Sequence, residues 1–289
     1  MTTARKWKPF PLGGGSFDYA GAALEKKWAR LHRGDCEPFP SARWVESVFA
    51  AAPAARKSAG KAGANAVRVA EALQDAWRAF HRGDFQAAYD QGLGLGVIGH
   101  TVADKSASMY ATYLEPDRRA RLALFAQAAE RSESARKAMP EHANAHYLHA
   151  YCLGRHSQGV SVLEAIAQGV AGRVKQALDR TLALEPKHAD AHIATGTYHA
   201  EVIDKVGALV GRMTYGASAA DALAHYRKSL ALNPDSAIAR VEYARGLLML
   251  DDAKATAART LLEEATKVKP ADATEKLDVE LANERLDEL

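Results

Sequence analysis

A chain of 289 residues is long enough for one extended helical array or for two compact domains. With 48% hydrophobic but only 7% aromatic residues, its core must be built mainly from Ala and Leu, which favours close helix packing over a β-sandwich. A net charge of +3 is too small to direct the chain to nucleic acid, and the two cysteines, Cys36 and Cys152, have neither CxxC nor metal-ligand spacing, which fits reduced thiols in a cytoplasm.

The N-terminal stretch has no apolar core of the kind a signal peptide needs, and the chain has no run of about 18 apolar residues that would span a bilayer. Residues 1–16 read as a flexible arm broken by Pro9, Pro11 and the glycines from Gly13 to Gly15. The alternative is an arm that docks Trp7 and Phe10 on a groove. From residue 17 the chain echoes itself. Trp28-Ala-Arg-Leu-His-Arg-Gly-Asp35 recurs as Trp77-Arg-Ala-Phe-His-Arg-Gly-Asp84. Gly34 and Gly83 suit the left-handed conformation that ends a helix. After the first copy, Pro38 and Pro40 force a turn before Ser41 can cap a new helix. Residues 54–81 carry a helical apolar stripe through Val69, Leu73, Trp77 and Phe80, weakened near Gly60 and Gly63, so that the helix either runs throughout or starts near Asn65. Gly94, Gly96 and Gly99 match GxGxxG, but no strand precedes them, and a dinucleotide site needs one. These glycines are expected to end a helix and let two backbones approach.

Repetition is clearest over 141–270. First helices begin at Ala143-Asn-Ala-His146, Ala189-Asp-Ala-His192 and Ala237-Ile-Ala-Arg240, each followed four residues later by a small residue: Ala150, Gly196 and Ala244. Second helices align Val174/Leu178/Thr181, Ala222/Tyr226/Ser229 and Ala258/Leu262/Ala265, and each unit closes on a proline, Pro186, Pro234 or Pro270. Residues 271–289 place Leu277, Leu281 and Leu286 on one face, and the acidic stretch 251–289 suits a solvated C-terminal capping helix. The chain thus divides into an arm (1–16), degenerate helical repeats (17–140), defined repeats (141–270) and a cap (271–289).

The small-residue positions, closing prolines and RGDF-type turn resemble the tetratricopeptide repeat (TPR) superfamily. The tract TGTYHAEVIDKVGALVGRMTYGASAADALAHYRKSLALNP, residues 195–234, also resembles TPR-like proteins of the regulator-of-microtubule-dynamics kind and the T-component lipoproteins of TRAP transporters. This chain lacks the lipoprotein cysteine. The resemblance implies an all-α fold, a right-handed α-α superhelix with extended helix pairs, and a bacterial-type cytoplasmic scaffold whose concave groove binds a protein or peptide. Against a repeat of about 34 residues, Pro140 to Pro186 and Pro186 to Pro234 are long. The excess falls in two apolar inserts, at about 155–168 and 203–217, which are expected to be buried against each other or around a cavity.

Chemistry-bearing residues are few. His142/His146 and His188/His192 are each spaced i, i+4 on one helix face, a spacing able to bind zinc, but without HExxH or a third ligand they read as structural. Glu201 beside His199 has the makings of an acid–base pair only if buried. No nucleophile elbow or phosphate loop is present, so the expected function is non-enzymatic, with no cofactor or metal. Candidate groove or pocket residues are His146, His192, Tyr198, His199, Met213, Tyr215 and Arg240. The alternative function is binding of a small apolar ligand in a pocket between the inserts, with Tyr215 and His199 as its polar groups.

Overall fold

The computed structural model describes residues 6–13 and 17–289, with Val162 and Leu163 described as backbone. The fold is all-α: the described residues form sixteen α-helices and no strand. The chain divides into two compact units, one of Met1–Trp28 and Glu37–Gly159 and the other of Ala29–Cys36 and Val160–Leu289. The boundary at Gly159 falls inside the first insert.

The first unit contains most of α1 (Ala23–Leu31), then α2 (Ala42–Ala51), α3 (Pro53–Ser58), α4 (Ala66–Arg82), α5 (Phe85–Gly94), α6 (His100–Tyr113), α7 (Arg118–Ala138) and α8 (Ala143–Ser157). From α4 onward each helix packs on the next. The stripe read from the sequence is the reason for α4: Val69, Leu73, Trp77 and Phe80 are all buried. The helix starts late. Gly60 adopts a left-handed φ of +56°, which stops α3, and the Asn65 side chain accepts from the Arg68 N–H to cap α4. Gly83 ends it at φ +89°. The glycine cluster lets α5 meet α6, because a Cβ on Gly92 would lie 2.7 Å from the Gly99 carbonyl oxygen.

The second unit holds α9 (Val162–Ala167), α10 (Val170–Leu184), α11 (Ala189–Val206), α12 (Ala208–Tyr215), α13 (Ala219–Leu232), α14 (Ala237–Leu250), α15 (Ala255–Ala265) and α16 (Ala273–Asp287). Its main pairs are α11 with α13 and α14 with α15, with α16 packed on α14 and α15. Leu281 and Leu286 lie against the core of Val241, Ala244, Leu262 and Ala265. Gly196 stands at the contact of α11 with α13: a Cβ there would meet the Tyr226 ring at 3.0 Å and the Ala222 carbonyl oxygen at 3.1 Å.

Residues 29–36 differ from their echo. Gly34 has no left-handed φ; it is small because a Cβ would sit 2.3 Å from Asp190 Oδ1, while the positive φ falls on Cys36 at 50°. This segment runs across three helix N-termini. The Gly34 carbonyl accepts from Asp190 N–H at 2.9 Å, the Arg33 guanidinium donates to Asp235 at 2.8 Å, and Arg30 forms a two-point bridge to Glu275 at 2.5 and 3.0 Å.

The inserts are not buried as the sequence suggested. The second forms α12, with Leu209 at 72%, Val210 at 47% and Met213 at 79% exposure; in the first, Ile166 is 50% exposed. The short α9 packs on α10 and α12 packs on α11, and among the described residues the two do not form a joint plug; the side chains of Val162 and Leu163 lie outside the described residues. Eight residues give α12 too few turns to bury a full apolar stripe: it meets α11 at Gly211, where a Cβ would lie 3.4 Å from Val202, and Gly207 and Gly216, at φ +82° and +65°, bound it.

Candidate functional site

The three repeats place the same side-chain hook six residues after the closing proline. His146 Nε2 lies 2.9 Å from the Pro140 carbonyl, His192 Nε2 lies 3.2 Å from the Pro186 carbonyl, and Arg240 donates to the Pro234 carbonyl at 2.7 Å. A carbonyl only accepts, so each imidazole carries its proton on Nε2. The other member of each i, i+4 pair has a different task. His188 is fully buried and caps α11, its Nδ1 accepting from the Ala191 N–H at 3.0 Å, and His142 at the start of α8 bonds to Thr101 Oγ1 at 3.1 Å. Among the described residues, no three or more His, Cys, Asp or Glu are grouped to hold a metal ion.

His192 does not pair along its own helix but across to α13. Its Nδ1 lies 2.8 Å from Nδ1 of His225. With the His192 proton on Nε2, His225 must be the Nδ1–H donor. His199, two turns further along α11, stacks on the His225 ring at 6.0 Å, and its Nδ1 accepts from the Ser218 N–H at 3.2 Å. Burial holds all three imidazoles below their ordinary range, His225 furthest at about 4, where the neighbouring His192 and His199 add to the effect. His225 carried no distinguishing mark in the sequence beyond preceding the packing residue Tyr226. Glu201 does not join His199. Arg245 donates to it at 2.6 Å and also to Glu242 at 3.1 Å, so its carboxylate is bound into an ion-pair network.

Beside the histidines an open cleft of about 360 Å³ lies between α10, α11 and α12, lined by Lys175, Gln176, Asp179, Tyr198, Thr214 and Tyr215. The Tyr198 hydroxyl donates to the Tyr215 carbonyl at 3.0 Å, which fixes the end of α12 to α11. Lys175 and Asp179 pair at 2.6 Å on α10. Thr214 and Tyr215 come from the second insert, but no described residue of the first insert lines this cleft, so it is not a pocket between inserts. Lys175 and Asp179 had no signal in the sequence, because nothing in the spacing of α10 shows which of its faces α12 covers. Of the sequence candidates, Tyr198 and Tyr215 line this cleft, while His192 and His199 belong to the cluster with His225. Met213 stands on the outer face of α12, Arg240 pairs with Glu264 at 3.2 Å, and His146 is buried in the first unit.

Residues 101–289, well over half of the chain, match the model of the family described as Regulator of microtubule dynamics protein 1-3. The chain belongs to that family. The matched region runs from α6 to the C-terminus, so it contains the histidine cluster, the cleft and α12, while the arm and α1 to α5 precede it. Among curated proteins, none matches the sequence. No helix of the described residues is long and apolar enough to cross a membrane.

Proposed function

We propose that this regulator-of-microtubule-dynamics family member is a non-enzymatic, cytoplasmic, TPR-like scaffold that binds a protein or peptide. The repeated proline hooks and the Gly196–Tyr226 contact support a right-handed α-α superhelix with α16 as its cap. The observation that carries the binding role is the outer face of α12. Leu209, Val210 and Met213 occupy positions i, i+1 and i+4, so they form one continuous apolar strip. Large apolar side chains displayed together on an element that the repeats do not require mark a contact surface. Methionine suits such a surface because its unbranched thioether adapts to a partner. The family's name concerns the regulation of microtubule dynamics, and recognition of a protein partner is a way to exercise it.

The test is a photo-crosslinking amino acid at position 213 of the full chain, with adducts identified by mass spectrometry. A defined protein adduct, lost when Leu209→Asp is added, is the expected result. The cleft beside α12 supports the second reading, a small-ligand site. Native mass spectrometry showing a stoichiometric small molecule, lost in Tyr198→Ala and unaffected by Leu209→Asp, would favour that reading instead.

A further inference from the structure

The arm at the start of the chain is seated in a built slot. The Trp7 ring stacks on Tyr110 of α6 with centroids 4.4 Å apart and planes within 10°, and Tyr89 of α5 forms the second wall at 5.0 Å. Two consecutive backbone amides of the arm are read by side chains: Trp7 N–H donates to Gln86 Oε1 at 3.1 Å, and Lys8 N–H donates to the Tyr110 hydroxyl at 3.2 Å. The next residue, Pro9, has no N–H to satisfy and biases Lys8 to an extended conformation.

The walls are held by groups other than the arm. The Tyr110 hydroxyl donates to buried Glu115 at 3.3 Å. The Arg131 guanidinium lies 5.2 Å from the centre of the Tyr89 ring, and Arg131 is itself fixed by the fully buried Asp104 at 2.6 Å, which also accepts from Ser132 at 2.9 Å. A slot whose sides are fixed independently of its occupant is preorganised for binding. What it recognises is one indole and two successive amides of an extended, proline-containing segment. Recognition of such segments by aromatic-lined grooves is a general mode, since the chain enters with little entropy to lose.

We propose that the Tyr89–Tyr110 slot is a peptide-binding site for extended segments that carry a tryptophan followed by proline, and that residues 6–12 are its resident, displaceable occupant. A partner segment of this chemistry binds by competing with the arm, so the arm sets the threshold for partner binding. The slot is separate from the α12 face, and the two are tested separately.

The test uses the full chain and a fluorescein-labelled peptide with the sequence of residues 6–12, KWKPFPL, followed by anisotropy. Trp7→Ala opens the slot, and saturable binding at least about tenfold tighter than to the unaltered chain is expected, because a tethered arm competes at high effective concentration. Adding Tyr89→Ala to Trp7→Ala removes a wall and is expected to abolish that binding. Equal binding by Trp7→Ala and the unaltered chain, or binding that survives Tyr89→Ala, overturns the proposal. Should Trp7→Ala fail to fold, hydrogen exchange on the unaltered chain decides. Peptide at millimolar concentration is expected to expose the Trp7 and Lys8 amides while α5 and α6 stay protected; protection unchanged by peptide overturns the proposal.

Discussion

Tyr226 shows how single residues hold the repeat pair together. It is almost wholly buried, its hydroxyl lies 3.1 Å from Thr197 Oγ1, and it stacks on Tyr243 at 4.9 Å. Glycines border it on two helices: a Cβ on Gly196 would meet its ring at 3.0 Å, and a Cβ on Gly246 would meet its hydroxyl at 2.4 Å. Gly196→Leu is therefore expected to cost about 1–3 kcal/mol by overpacking; denaturant unfolding with an unchanged midpoint would show that the contact tolerates the added volume. The small residue at position 196 was legible from repeat alignment. Gly246 was not, because its partner is the hydroxyl of a tyrosine on another helix.

The histidine cluster gives a second expectation at the same scale. A histidine whose folded-state pKa lies below its unfolded value is favoured neutral by the fold. For His225, from an ordinary 6.5 down to about 4, the contribution is fully present above about 6.5 and is lost as pH falls towards 4. Melting temperature is expected to decline over that window, and His225→Gln to decline less steeply. Parallel curves for the two chains would exclude the cluster as the source.

At the scale of the element, α12 separates packing from display. Because Leu209 and Val210 are exposed, Leu209→Ser with Val210→Ser is expected to change stability by no more than about 0.5 kcal/mol while abolishing the crosslink from position 213. A large loss of stability would return the insert to the core, where sequence composition had put it. Composition misled here for a physical reason. Apolar residues normally report burial, but the same residues on a short helix between two left-handed glycines report a surface that needs a partner. The arm presents the converse. Proline and glycine content suggested a flexible terminus, yet Trp7 is fixed by two tyrosines that lie more than 80 residues away in sequence. The positions of the arm beyond residues 6–13 fall outside the described residues.

At the scale of the whole molecule, the chain does not divide at one cut. The second unit includes residues 29–36, which reach the N-termini of α11, α14 and α16 through Asp190, Asp235 and Glu275. A fragment of residues 160–289 alone is expected to melt at a lower temperature than the same unit in the full chain, and a peptide of residues 29–36 is expected to restore part of the difference. Equal melting with and without that segment would show its bridges to be solvated contacts of little worth, as exposed ion pairs often are.

The sequence by itself determined that the chain is helical, where α8, α11 and α14 begin, and which proline and small residue mark each repeat. These follow from local rules: 3.6-residue periodicity, capping side chains and the missing N–H of proline. It also placed His146, His192 and Arg240 at one equivalent position. Only the tertiary structure decided what that position does, that His192 turns to His225 on α13, that the cleft takes Lys175 and Asp179 from α10, and that Trp7 finds Tyr89 and Tyr110. Each of these joins residues on separate helices, and periodicity along one helix carries no information about the face that another helix will cover.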